Sequence, residues 1–272
     1  MILLWYPLTD PTTPNMKSTL KERLKAASPT LGSWISIGDP TVTEILANAG
    51  YEWLVIDLEH SAISISRAAE LIRIIDLAGV EPLVRLTSND PNQIKRVLDA
   101  GAAGIIVPMV NSKKHAESAV AATRYPPIGS RGMGLARAQG YGASLPEYIE
   151  RQRTEITVIA QIEHVDALEH IHEILNVPGL DGFMIGPYDL SASLGRPGQF
   201  NDQSYLNAIN RINQAGVAAG CPTGIHVVEP ELEALNAALD DGYTFFESEV
   251  DSKPLDGAAT RQRSLAFDEA CA

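Results

Sequence analysis

A chain of 272 residues, 45% hydrophobic and 20% charged, can bury one large apolar core or two smaller ones, and no segment approaches the roughly 20 apolar residues of a membrane helix. An excess of 34 acidic over 21 basic side chains gives a formal net charge of -13, which argues against nucleic acid or an anionic membrane as a partner, because both are bound through Lys and Arg. The two cysteines, Cys221 and Cys271, are too few and too far apart for a disulfide framework or a CxxC metal site, and they fit a reducing cytoplasm.

Residues 1–15 are broken by Pro7, Pro11 and Pro14 and read as an N-terminal extension; the apolar opening lacks the basic n-region and the small-residue cleavage site of a signal peptide. A single domain is expected over 16–272, starting with a helical stretch that contains Ser18-Thr-Leu-Lys-Glu-Arg-Leu-Lys-Ala. Strands are predicted at 32–37, 53–57, 82–85 and 104–107, the last three preceded by Ala49-Gly50, Ala78-Gly79 and Ala100-Gly101. Glycine accepts the left-handed conformation that ends a helix, and a β-branched apolar run can then enter a sheet buried on both faces. Asp39-Pro40 and Asp90-Pro91 mark helix starts, a capping carboxylate ahead of a proline at the first helical position, and Ser64 or Ser66 caps the helix running to Ala78. The interval 125–152 holds Arg131-Gly-Met-Gly-Leu-Ala-Arg137-Ala-Gln-Gly-Tyr-Gly142, a long loop expected to be functional although its glycines match no P-loop. Strands at 157–162, 182–185, 223–225 and 243–248, with helices near 164–175, 202–219 and 230–240, complete the pattern. Eight strands alternating with helices predict an α/β (β/α)8 TIM barrel. A doubly wound sheet of the dinucleotide-binding kind would need a GxGxxG turn where Gly32-Ser-Trp-Ile-Ser-Ile-Gly38 stands.

Four polar side chains close predicted strands: His60 in Asp57-Leu-Glu-His60, Arg85 in Leu-Val-Arg85, Glu163 in Gln161-Ile-Glu163, and Asp189 in Gly186-Pro187-Tyr188-Asp189. In a barrel they gather at the carboxyl edge, where active sites form. Two carboxylates leave most of an octahedral shell to water and substrate oxygens, as Mg2+ or Mn2+ sites do, whereas either acid taken singly reads equally as a helix cap or an ion-pair partner. Arg85 is expected at the barrel mouth, where its planar fork can hold a carboxylate or an enolate oxygen; the alternative is an ion pair with Glu59 or Asp57. His60 titrates near neutrality, and Asp57, three residues earlier, could orient its ring to make a base; the alternative is a solvated loop histidine. His115, His170 and His172 read as solvated, with His164 and His226 as secondary candidates. The stretch from Gly186 to Asp189 can bring backbone N–H groups towards an anion.

These residues, with Val107-Pro-Met-Val110, Arg124-Tyr-Pro-Pro127 and Arg131-Gly-Met-Gly134, resemble the HpcH/HpaI family of metal-dependent (class II) pyruvate aldolases, in the family's order, from Leu20 to Asp251. The resemblance implies a barrel whose last helix is exchanged with a neighbouring subunit, usually in a hexamer. It further implies a divalent metal, Mg2+, Mn2+ or Co2+, held by Glu163 and Asp189 and chelated by the carboxylate and keto oxygens of pyruvate. Arg85 would then hold the keto oxygen and stabilise the enolate, the amides around Gly186 to Asp189 would hold the pyruvate carboxylate, and His60 with Asp57 would move the proton through water. The expected substrate-binding set is Arg85, Gln161, Gly186, Pro187, Tyr188, Asp189 and Arg137, the last matching an arginine that can serve the aldehyde end. Pyruvate and an aldehyde are the implied partners, and the implied reaction cleaves or forms a 4-hydroxy-2-oxo acid. The alternatives are a related enolate enzyme (an oxaloacetate decarboxylase, a citrate-forming synthase or a CoA-ester lyase) and a barrel that binds keto acids without turnover. Two features depart from the family: the loop from Gly132 looks shorter than in the heptanedioate aldolases, and the last strand carries Glu247 and Glu249 where relatives usually have small residues.

Overall fold

The chain alternates strand and helix, and its strands β1 (Thr30–Ile35), β2 (Trp53–Asp57), β3 (Glu81–Arg85), β4 (Gly104–Val107), β5 (Thr157–Ile162), β6 (Gly182–Ile185), β7 (Thr223–His226) and β8 (Phe245–Val250) pair in parallel in chain order. Strand β8 returns to β1, which closes a (β/α)8 barrel. The computed structural model describes residues 18–226, 239, 242–253 and 255. The expected extension at 1–15, most of the predicted helix at 230–240, the exchanged C-terminal helix, and the side chains of His226, Glu247 and Glu249 lie outside the described residues.

Helices α1 (Leu20–Lys25), α2 (Pro40–Ala47), α3 (Ile65–Leu77), α4 (Pro91–Asp99), α5 (Lys113–Thr123), α6 (Leu145–Arg151), α7 (Val165–Leu175), α8 (Pro187–Ser193) and α9 (Gln203–Ala219) fill the intervals. The caps fall where side-chain chemistry places them: Asp39 accepts from the N–H groups of Thr41 and Val42, Ser64 from Arg67, and Asp90 from Asn92. The glycines predicted to stop α2, α3 and α4 hold φ values of 98°, 75° and 105° at Gly50, Gly79 and Gly101, a region that side chains with a Cβ rarely adopt.

Side-chain alternation divides the core into two layers. Ile35, Leu54, Ile56, Val84, Ile105, Val158 and Ile185 face the helices, while Trp34, Trp53, Val55, Leu83, Ile106, Ile159, Met184 and Phe245 fill the barrel interior. Helix α1 seals the amino-terminal end. A reciprocal capping box between Thr19 and Glu22 starts it, and its Leu20 and Leu24 join the interior cluster below Trp53, which stacks on Phe245 at 4.2 Å between ring centroids. Lys21 fixes the helix to the ends of two strands, bonding Ile156 O at 2.8 Å and Asp181 at 2.9 Å. Burying each of these large apolar side chains contributes roughly 1.5–3 kcal/mol.

Continuing the same inward parity to the other end replaces apolar by polar groups. Two residues beyond Val55 stands Asp57, beyond Leu83 Arg85, beyond Ile159 Gln161 and then Glu163, and beyond Met184 Gly186. A polar layer therefore sits on the apolar floor at the carboxyl edge.

Candidate active site

Asp57 and Arg85 are register partners on adjacent strands. Arg85 donates to both Asp57 oxygens, from Nε at 2.9 Å and from Nη2 at 2.7 Å, and its guanidinium lies 4.4 Å from the centroid of the Trp34 ring. Fork, carboxylate and aromatic face together fix the orientation of a cation that is largely withdrawn from water. The ion-pair alternative for Arg85 is thus what the geometry contains, and it extends to Glu59 Oε2, 3.5 Å from Arg85 Nε.

The expectation that Asp57 orients the His60 ring is corrected. Both Asp57 oxygens are engaged by Arg85, and Asp57 meets His60 through the latter's backbone N–H at 3.3 Å. His60 lies beyond the end of β2, so strand parity does not turn it inward; its side chain is 61% exposed, with Nε2 3.9 Å from Glu59 Oε2.

Glu163 is buried at the end of β5, where Oε1 accepts the Met109 N–H at 2.7 Å and Oε2 accepts from Gln161 Nε2. Burial pushes its pKa up, opposed by the bonds from Gln161 and Met109, while Asp189 pushes it further up and Arg85 draws it down. Met109 delivers its N–H from a left-handed conformation, φ 54°, which a non-glycine residue adopts at a cost that its surroundings must offset. Beside Glu163, a Cβ on Gly186 would come within 2.6 Å of Glu163 Oε2, so only glycine leaves the carboxylate in place. Gly186 also precedes α8, whose first intrahelical bond runs from Leu190 N–H to Gly186 O. The Gly186 N–H is spent on Ile162 O and Pro187 has none, which leaves the amides of Tyr188 and Asp189 as first-turn donors. Asp189 itself is exposed on that turn.

One acid at the centre was seen in the sequence only as an ion-pair partner. Glu59, two residues past Asp57, has Oε2 buried without a hydrogen-bond donor. Burial pushes its pKa up to about 7; Arg85 pulls it down, and Glu163, Asp57 and Asp189 push it up. Trp34 and Met109 were likewise not foreseen. Gln161 Oε1 is a second buried acceptor without a donor. Among the described residues no group of three or more His, Cys, Asp or Glu forms a metal cage, so the candidate ligands are a carboxylate pair. A pair of acids with two orphaned acceptors nearby is short of positive charge, the condition a bound cation relieves.

Arg137 is not brought to this site. Helix α5 runs back from the carboxyl edge, so the loop that follows it lies at the amino edge, where Arg137 pairs with Asp76 in the last turn of α3 and approaches Ala100 O at 3.5 Å. In the same loop the buried Arg131 bonds Asp99 at 2.6 Å and Tyr148 at 3.0 Å. Any contact of Arg137 with an acceptor would therefore be made at a neighbouring subunit's site. Of the secondary histidines, His164 caps α7 by accepting from the Asp166 N–H.

Comparison with known proteins agrees with this geometry. The chain is 41% identical over 213 residues to the 4-hydroxy-2-oxo-heptane-1,7-dioate aldolase of Salmonella dublin, covering 75% of this chain and 80% of that protein. An HpcH/HpaI aldolase/citrate lyase family protein from Burkholderia cenocepacia J2315 superposes with a TM-score of 0.85 at 34% identity, over 93% of this chain and 99% of that one. The citrate synthase SbnG superposes with a TM-score of 0.83 at 32% identity, again over 93% and 99%. The family model for HpcH/HpaI aldolase/citrate lyase matches residues 30–256, from the first strand past the last, and the chain belongs to that family.

Proposed function

We propose that the chain is an aldehyde-lyase that cleaves or forms 4-hydroxy-2-oxo acids through a pyruvate enolate. The observation that carries this reading is the inward-facing Arg85, locked by Asp57 and Trp34, in one polar layer with the buried Glu163 and the glycine that makes room for it. In the cleavage direction the C4 hydroxyl loses its proton as the C3–C4 bond breaks. The bonding pair passes into C3 and the 2-oxo group, where the Arg85 guanidinium meets the developing oxyanion. The amides of Tyr188 and Asp189 hold the carboxylate of the oxo acid, and Gln161 steadies Glu163. His60, at the open mouth, takes up the hydroxyl proton through water and returns one to C3 to release pyruvate. Glu163 and Asp189 would hold a divalent cation, Mg2+, Mn2+ or Co2+, which supplies Lewis-acid polarisation when bound.

The similarity to a citrate synthase supports a second reading, in which the same enolate meets a different electrophile. A panel of aldehydes with pyruvate and Mg2+ or Mn2+, run beside oxaloacetate and citrate, separates the two. Full turnover after exhaustive chelation, or a borohydride-reduced lysine adduct with pyruvate, would overturn the metal-dependent reading. We also propose a homo-oligomer, with a hexamer expected. Ile128, Met133, Leu135 and Tyr141 on the amino-edge loop are each more than half exposed, which supports a covered face.

A further inference from the structure

Beside the candidate site, a cavity of about 310 Å3 opens between the segment after β3 and the segment after β4. The two share Met109, which lines the cavity with its side of the loop and gives its N–H to Glu163. Thr87 and Ser88, two and three residues beyond Arg85, form the facing wall. Asn89 ties the walls together by donating from Nδ2 to His115 O at 2.8 Å, which fixes the orientation of its amide; its Oδ1 is buried without a donor.

The charge here runs against that of the whole molecule. In a chain of net charge -13, Lys113, Lys114 and His115 occupy the first turn of α5, where the helix dipole already disfavours cations. Lys113 is matched by Glu117 at 3.7 Å. Lys114, which lines the cavity, has no acidic partner among the described residues. His115 accepts the Asn111 N–H at Nδ1, so its neutral ring carries the hydrogen at Nε2 and adds a donor, beside the hydroxyls of Ser88 and Ser118. An unmatched ammonium among neutral donors lacks an anion, and one uncompensated cation matches a carboxylate better than a phosphate dianion.

We propose that this cavity is the subsite for a distal carboxylate on the acceptor aldehyde, with Lys114 as its counter-ion. The assignment rests on the aldolase reading above and names the acceptor class: short aldehydes ending in a carboxylate. The test uses the Mn2+-loaded full chain and the ratio of kcat/KM for succinate semialdehyde to that for butanal in aldol addition to pyruvate. Lys114→Ala should lower this ratio about tenfold or more, the loss of one charge-assisted hydrogen bond, and Lys114→Arg should restore most of it. Lys113→Ala, outside the cavity, should leave the ratio within about twofold. An unchanged ratio in Lys114→Ala, or an equal fall in Lys113→Ala, overturns the subsite. If the wild type exchanges no pyruvate methyl protons with solvent, the aldolase reading fails instead. The subsite is then judged by calorimetry with succinate, which should bind the wild type and not Lys114→Ala; equal binding to both rejects it.

Discussion

Glu59→Gln should make the metal-free protein more stable at pH 8 and leave it unchanged at pH 4, the reverse of what loss of an ion pair would do. Burial and three neighbouring acids raise the Glu59 carboxyl from 4.5 to about 7 in the folded chain. Between those values the folded state holds a proton that the unfolded state has released, so stability falls as pH rises through the window, and the full penalty is present above pH 7. A rise of that size corresponds to about 3 kcal/mol. Water at the barrel mouth screens part of it, and the lost contact with Arg85 works in the opposite direction, which leaves about 1–2 kcal/mol. For a chain of this size that is roughly 2–6 °C in Tm. The assay is thermal unfolding of wild type and variant with chelator at pH 4, 6 and 8, then again at pH 8 with saturating Mn2+. The cation should narrow the difference by relieving the crowding of negative charge. A variant equally or less stable than wild type at pH 8 would refute the reasoning.

Two further outcomes follow from the same geometry. Arg85→Lys keeps a charge but not the fork that reaches both Asp57 oxygens, and it should slow solvent exchange of the pyruvate methyl protons by roughly tenfold to a hundredfold, at about 1.4 kcal/mol per factor of ten; near wild-type exchange would remove Arg85 from its role. Gly186→Ala puts a methyl group 2.6 Å from Glu163 Oε2 and should weaken Mn2+ binding by about tenfold or more while moving Tm by only a few degrees, since the backbone there is ordinary; calorimetric titration with Mn2+ reads it directly, and unaltered affinity would exclude Glu163 as a ligand.

The barrel was legible because each of its signals is local. Glycine after alanine ends a helix, Asp-Pro begins one, and the β-branched runs leave eight strands in order. The inward series Val55 to Asp57, Leu83 to Arg85 and Ile159 to Glu163 is ordinary strand parity, and the polar layer could be read from it. Arg137 was misplaced for a specific reason. Ser112 and the run Lys113–Thr123 form a capped helix that had not been recognised, and that helix carries the chain to the opposite edge before the long loop begins. A loop taken to follow a strand in fact follows a helix, which reverses its end of the barrel. Glu59 escaped notice because its significance depends on three acids distant in sequence, and no local pattern announces an electrostatic cluster. The Asp57 to His60 pairing failed because spacing along the chain said nothing about competition from Arg85 across the sheet.

The seal made by Leu20, Leu24, Trp53 and Phe245 leaves the interior a single doorway. Two reactants that share one doorway must queue: the component held against Glu163 and the Tyr188 and Asp189 amides goes in before its companion and comes out after it. For the proposed chemistry this means compulsory-order kinetics, with the aldehyde leaving ahead of pyruvate in cleavage. Product inhibition would then be competitive for pyruvate against the oxo acid and noncompetitive for the aldehyde.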